Sequence, residues 1–147
     1  DNDGTGHFTR RDFGAGTGLD QVTKARGAAF SDFDHDGDLD VAVASMEEPP
    51  QVLRNDLPQG HWLAVRLSYP WYEPAVGAVV TAQVGDKTLT RWVIATPSYG
   101  GTSTGEIFFG LGEAKEVTAL EVKWPHLAVQ KVGRVDANQR ITVTYTP

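Results

Sequence analysis

Nine consecutive residues hold the densest chemistry in the chain. Asp32-Phe33-Asp34-His35-Asp36-Gly37-Asp38-Leu39-Asp40 places a carboxylate at positions 1, 3, 5, 7 and 9 and a glycine at position 6. Calcium is a hard cation that takes roughly six to eight oxygens, and a tightly curled loop aims alternate side chains inward while glycine makes the sharp turn. The pattern assigns Asp32, Asp34, Asp36 and Asp40 as side-chain ligands. Asp38 stands where such loops commonly offer a main-chain carbonyl. Without a cation these carboxylates repel one another at short range. Magnesium, which prefers to keep its waters, suits an all-protein cage less well, and an ordinary solvated turn has no reason to alternate aspartate so regularly.

An EF-hand begins in the same way but needs a bidentate glutamate at its twelfth position, which here is Val43. Its flanks are helices, whereas Gly27-Ala28-Ala29-Phe30 and Val41-Ala42-Val43-Ala44 are short, apolar and suited to a β-hairpin. A second motif, Gly101-Thr102-Ser103-Thr104-Gly105, matches the G-x-S-x-G elbow of serine hydrolases. That elbow needs a strand before the serine and a helix after it, yet Pro97-Ser98-Tyr99-Gly100 reads as loop and Glu106-Ile107-Phe108-Phe109 as strand. The downstream partners, His126 and Asp136, come in the reverse of the hydrolase order. Ser103 is therefore expected to be inert, and no catalytic residue is assigned. The histidines at 7, 35, 61 and 126 have no paired metal spacing, and Gly14-Ala15-Gly16-Thr17-Gly18 lacks the third glycine of a dinucleotide fingerprint.

The elements that position the loop are strands. In a chain of 147 residues Val, Ile and Thr number 33, against 23 for Leu, Glu, Lys and Met, with 16 Gly and 8 Pro as punctuation. Residues 1–60 carry 5 basic and 12 acidic groups, a net of -7, while residues 61–147 carry 8 and 7, a net of +1, so all the net acidity of the chain, -6 in total, lies in the first segment. The turn-rich Asn55-Asp56-Leu57-Pro58-Gln59-Gly60 divides them, giving units at 1–58 and 60–147. In the first, strands are expected at 28–33, 39–45 and 51–54, with Phe8 and Thr9 in an earlier one. Asn2-Asp3 with Gly6-His7-Phe8 returns as Asn55-Asp56 with Gly60-His61-Trp62, a spacing near that of a propeller blade, which cannot bury its faces without neighbours. The second unit alternates: Leu63, Val65 and Leu67 share one face, Leu120, Val122 and Trp124 another, Ile141, Val143 and Tyr145 a third. Strands at 76–84, apolar on both faces and central, and at 88–95, 106–109 and 129–135 bring the set to seven and predict an antiparallel β-sandwich. One helical turn is expected at 113–116.

Absences bound the function. The chain has no cysteine, which removes disulfide scaffolds, thiolate metal sites and cysteine nucleophiles. Its acidic balance opposes nucleic-acid binding, and no apolar run approaches the roughly 20 residues of a membrane-spanning helix. The opening on Asp1-Asn2-Asp3-Gly4, without methionine, is expected of a piece of a longer protein.

Residues 27–41 resemble the calcium-binding FG-GAP or VCBS repeat of integrin-type β-propellers, and Asn2 to Phe8 and Leu53 to Asp56 are similar to the hairpins that flank such blades. The remainder resembles the ASPIC/UnbV domain that follows these propellers in the cartilage acidic protein-like family. The residues that carry this are His61 to Leu67, Val76-Gly77-Ala78, Phe109-Gly110-Leu111-Gly112 and Leu120 to Pro125. The resemblance implies an all-β chain: one propeller-type calcium-binding blade, then the sandwich. It implies a non-catalytic, secreted extracellular or periplasmic module for cell adhesion or protein binding, with structural Ca2+ at residues 32–40. Three departures stand out: a single blade, no cysteine-rich module, and Tyr69-Pro70-Trp71-Tyr72-Glu73-Pro74 where the family is usually polar. Trp71 and Tyr72 are candidate ligand-binding residues, as a platform for a protein or glycan partner. A glycan-binding module, or an accessory domain of an enzyme whose catalytic part lies upstream, is the alternative reading.

Overall fold

A computed structural model describes residues 2–3, 5–10, 14, 16–69, 75–95 and 101–146, which form ten strands and no helix. The all-β expectation holds, and no described helix is long and apolar enough to cross a membrane. β1 (Ala25–Ser31), β2 (Asp40–Ser45) and β3 (Gln51–Leu53) make an antiparallel sheet whose first hairpin carries the aspartate loop. Seven further strands follow: β4 (His61–Ser68), β5 (Val79–Val84), β6 (Lys87–Trp92), β7 (Ile107–Gly112), β8 (Glu116–Lys123), β9 (Val129–Asp136) and β10 (Gln139–Thr144). They pair as β10-β4-β7 and β6-β5-β8-β9.

These two sheets share one apolar core. Leu63 and Val65 from β4, Phe109 from β7, Val80 and Ala82 from β5, and Leu120 and Val122 from β8 are fully buried, because a period of two sends every second side chain inward. At one end the rings of Tyr69, Trp124 and Tyr145 pack with centroids 5.2–5.7 Å apart. The buried Trp124 finds its partner in Gln130, donating from Nε1 to Oε1 over 2.8 Å. Gly85, at φ 55, opens the two-residue connection of β5 to β6, where a tight hairpin calls for glycine.

Some local expectations are corrected. The segment 113–116 is no helical turn: the Ala114 amide bonds the Leu111 carbonyl in a tight turn and Glu116 already begins β8. Phe8 makes only an isolated bridge to Asn2. β5 is central, as expected, but starts at Val79 because Gly77 at φ 88 and the Ala78–Ala75 bond form a turn first. Its burial alternates, so one face rather than both is buried. One pairing is parallel: β10 lies beside β4 in register Arg140↔Ala64, a topology that alternation does not encode.

The two segments meet on the outer face of β10-β4-β7. Ala64 is 1% exposed yet stands outside the sandwich core, so something else covers it. Trp62, on the same side of β4 by alternation, lies against Gly37 of the aspartate loop. A second contact comes from residues 101–104, which run along the free edge of β1. The Thr104 amide donates to the Phe30 carbonyl (2.9 Å), and the Phe30 amide donates to Ser103 Oγ (3.1 Å). Gly101 approaches so closely that a Cβ would sit 2.5 Å from the Ala28 carbonyl oxygen. By contrast, among the described residues no apolar side chain of β1–β3 is fully buried.

Candidate metal centre

The loop joins the end of β1 to the start of β2, so the antiparallel hairpin fixes the separation of its two outermost carboxylates. Asp40 opens β2 at 1% exposure and is held on both oxygens: the Phe33 amide donates to Oδ2 and the Asn55 amide to Oδ1, each over 2.8 Å. Asp32 follows β1 at 4% exposure, and its Oδ2 accepts the Gly37 amide at 2.9 Å. Gly37 itself sits at φ 103, a conformation open to glycine and costly for other residues. The curl is completed by the Asp38 amide, which donates to Asp36 Oδ1 at 3.1 Å.

This folding gathers Asp32, Asp34 and Asp40, whose nearest carboxylate oxygens lie within 4.8 Å of one another. Asp36 and Asp38 stand outside that group; Asp36 is exposed, whereas Asp38 is half-buried. Two oxygens in the loop, Asp32 Oδ1 and Asp38 Oδ1, are buried without a hydrogen-bond partner. Buried polar atoms are normally satisfied, and leaving a carboxylate oxygen bare is costly. Burial, and then the charges of Asp36, Asp40, Asp34 and Asp32, push the Asp38 carboxyl up to about 6. The donor set is all oxygen and strongly anionic, which fits a hard divalent cation.

Two arginines supply part of the missing positive charge. Arg54 Nε lies 3.9 Å from Asp34 Oδ2 but 2.8 Å from Asp56, and both groups of the shorter pair are exposed. Arg140, on β10, reaches Asp32 Oδ2 from below, places Nε 3.3 Å from Glu106 Oε2, and lies over the rings of Trp62 (5.5 Å) and Phe108 (5.9 Å). Burial lowers its proton affinity, but the hydrogen bonds to Asp32 and Glu106 outweigh that and hold it above the ordinary arginine value. Gln59 Nε2 adds a contact to the Asp36 carbonyl at 3.2 Å.

Of the other candidates, Trp71 and Tyr72 lie outside the described residues. His35 is exposed at φ 67, an outward turn position. The Ser103 hydroxyl accepts a β1 amide and is followed by β7 rather than a helix. Arg140, Trp62 and Glu106 carry no sign of belonging to the site in the sequence, where Trp62 and Glu106 read only as strand residues. Arg140 is 108 positions from Asp32, and nothing in local spacing announces such a pair.

Residues 72–147 match the family described as ASPIC and UnbV. The aspartate loop and β1–β4 precede the matched span. No curated protein matches the chain.

Proposed function

The chain belongs to the ASPIC and UnbV family, and from that premise we propose a non-catalytic interaction module stabilised by calcium and working outside the cytoplasm. One observation carries the reading: Asp32, Asp34 and Asp40 converge while Asp32 Oδ1 and Asp38 Oδ1 are buried and unpartnered. A calcium ion satisfies both orphan oxygens and relieves the repulsion among five neighbouring carboxylates. Asp32, Asp34 and Asp40 hold it, and Asp36 and Asp38, in the same loop, complete the shell. The likeness of residues 27–41 to the FG-GAP/VCBS repeat supports the same assignment. Calcium is structural here, making the hairpin's stability depend on the calcium level around the protein. An adhesion or protein-binding role follows from the half-buried apolar faces of β1–β3, which call for neighbours.

The test is thermal unfolding of the whole chain with calcium and with a chelator. Calcium at ten times its dissociation constant stabilises a one-site protein by about 1.4 kcal/mol, which for a chain of this size raises the melting temperature by about 3 to 6 °C. Asp34→Asn, which removes a ligand whose one ion pair among the described residues is with Arg54 across 3.9 Å, is expected to abolish the rise. Identical melting with and without calcium sinks the proposal.

A glycan-binding reading has one observation in its favour. Trp92 is 62% exposed beside a cleft of about 540 Å³ lined also by Arg66, Ile94, Thr102 and Glu106. An exposed indole next to hydroxyl and charged groups suits the apolar face of a sugar ring. Glycan-array binding lost in Trp92→Ala supports it, and an array without binding removes it.

A further inference from the structure

Asp32 faces two ways. Its Oδ1 is buried in the loop without a partner, while its Oδ2 is held by the Gly37 amide and by Arg140 from the sandwich. Arg140 is not an incidental surface contact: it is flanked by Glu106, lies over Trp62 and Phe108, and pairs across the sheet with the fully buried Ala64. The Trp62 ring in turn touches Gly37, at the apex of the loop. A carboxylate shared between a cation and a guanidinium fixes both, because each partner restricts the rotation of the same group.

We propose that Arg140 is the positioning residue that couples cation loading of the loop to the sandwich. Asp32 takes the cation through Oδ1 and keeps Arg140 on Oδ2, so that an occupied loop stiffens β10 and the sheet β10-β4-β7. Coupling is reciprocal, and a docked sandwich therefore preorganises Asp32 for the cation. The inference rests on the calcium reading and adds to it a route by which calcium reaches residues that do not bind it.

Amide hydrogen exchange on the whole chain, with calcium and with a chelator, reads this directly. Calcium is expected to slow exchange in β1, β2 and residues 32–40, and also in residues 139–144 by roughly fivefold or more, the lower end of ordinary coupling between sites. In Arg140→Gln, calorimetry still records calcium binding, but the slowing at residues 139–144 is lost. Equal slowing there in parent and variant overturns the proposal, and so does parental slowing confined to the loop and its hairpin, although calcium binding then stands. No calcium effect anywhere in the parent overturns the calcium reading and this inference with it. Should Arg140→Gln fail to fold, Arg140→Lys and Glu106→Gln decide. Lysine keeps the charge without the two-pronged fork, and glutamine weakens the second anchor. Reduced slowing at residues 139–144 in both supports the coupling, and undiminished slowing in both overturns it.

Discussion

Replacing Gly37 with alanine tests the join between loop and sandwich with the smallest possible change. A Cβ on Gly37 would fall 1.9 Å from Trp62 Cε2, 2.0 Å from Nε1 and 2.6 Å from Cδ1, so the ring or the loop must move. Forcing extra atoms into such a packed contact costs about 1 to 3 kcal/mol. The backbone adds to this, since holding an L-residue at the φ of 103 found here costs about 1 to 3 kcal/mol. Gly37→Ala is therefore expected to destabilise the chain by about 2 to 6 kcal/mol, measured by urea unfolding at fixed calcium. The two contributions separate in a double-mutant cycle. With Trp62→Ala in place the steric part disappears, and the glycine substitution should cost only the backbone strain. A loss below about 1 kcal/mol, or the same loss with and without Trp62, refutes the argument that the loop packs on this ring.

Three further outcomes follow from the geometry. A serine-directed fluorophosphonate leaves the folded protein unlabelled, and Ser103→Ala costs about 0.5 to 1.5 kcal/mol through the lost bond from the Phe30 amide; stoichiometric labelling of Ser103 contradicts this. Burial and the neighbouring carboxylates push the Asp38 carboxyl up to about 6 from its ordinary value of 3.8, so without calcium this group's contribution to stability improves as pH falls through 6 and is unfavourable above it. Calcium competes with that proton, so titrations below pH 6 should show weaker calcium binding than those above it, and equal affinity counts against the site. Trp124→Ala removes a fully buried ring and its bond to Gln130, an expected loss of about 3 to 5 kcal/mol in denaturant unfolding; a loss below about 1 kcal/mol would mean that the ring cluster is not core.

Local periodicity made much of this architecture readable in advance. The alternation of Leu63, Val65 and Leu67, and of Leu120, Val122 and Trp124, marks side chains that do face one core, because the two-residue repeat of a strand is written in consecutive positions. The aspartate alternation is local in the same sense, and Gly37 takes the positive φ that its place in the loop requires. Partnership between distant segments is not local. The parallel pairing of β10 with β4, the Arg140–Asp32 pair and the run of residues 101–104 along β1 all depend on the path of the chain, and alternation names a buried face without naming what buries it. Ala64 illustrates the difference: its small apolar side chain is consistent with either face, and nothing in the alternation tells that it is buried outside the sandwich core. At residues 113–116 charged helix formers suggested a turn of helix, but the start of β8 at Glu116 overrides that weak propensity.

Titration calorimetry of calcium into the whole chain reads the proposed calcium site at residues 32–40 without an intermediary. One ion is expected to bind per chain with a dissociation constant of about 0.1 to 1 mM, the range of extracellular calcium modules, and Asp34→Asn is expected to give no comparable heat. Absence of binding heat from the parent chain, or equal heat from parent and Asp34→Asn, would contradict that site.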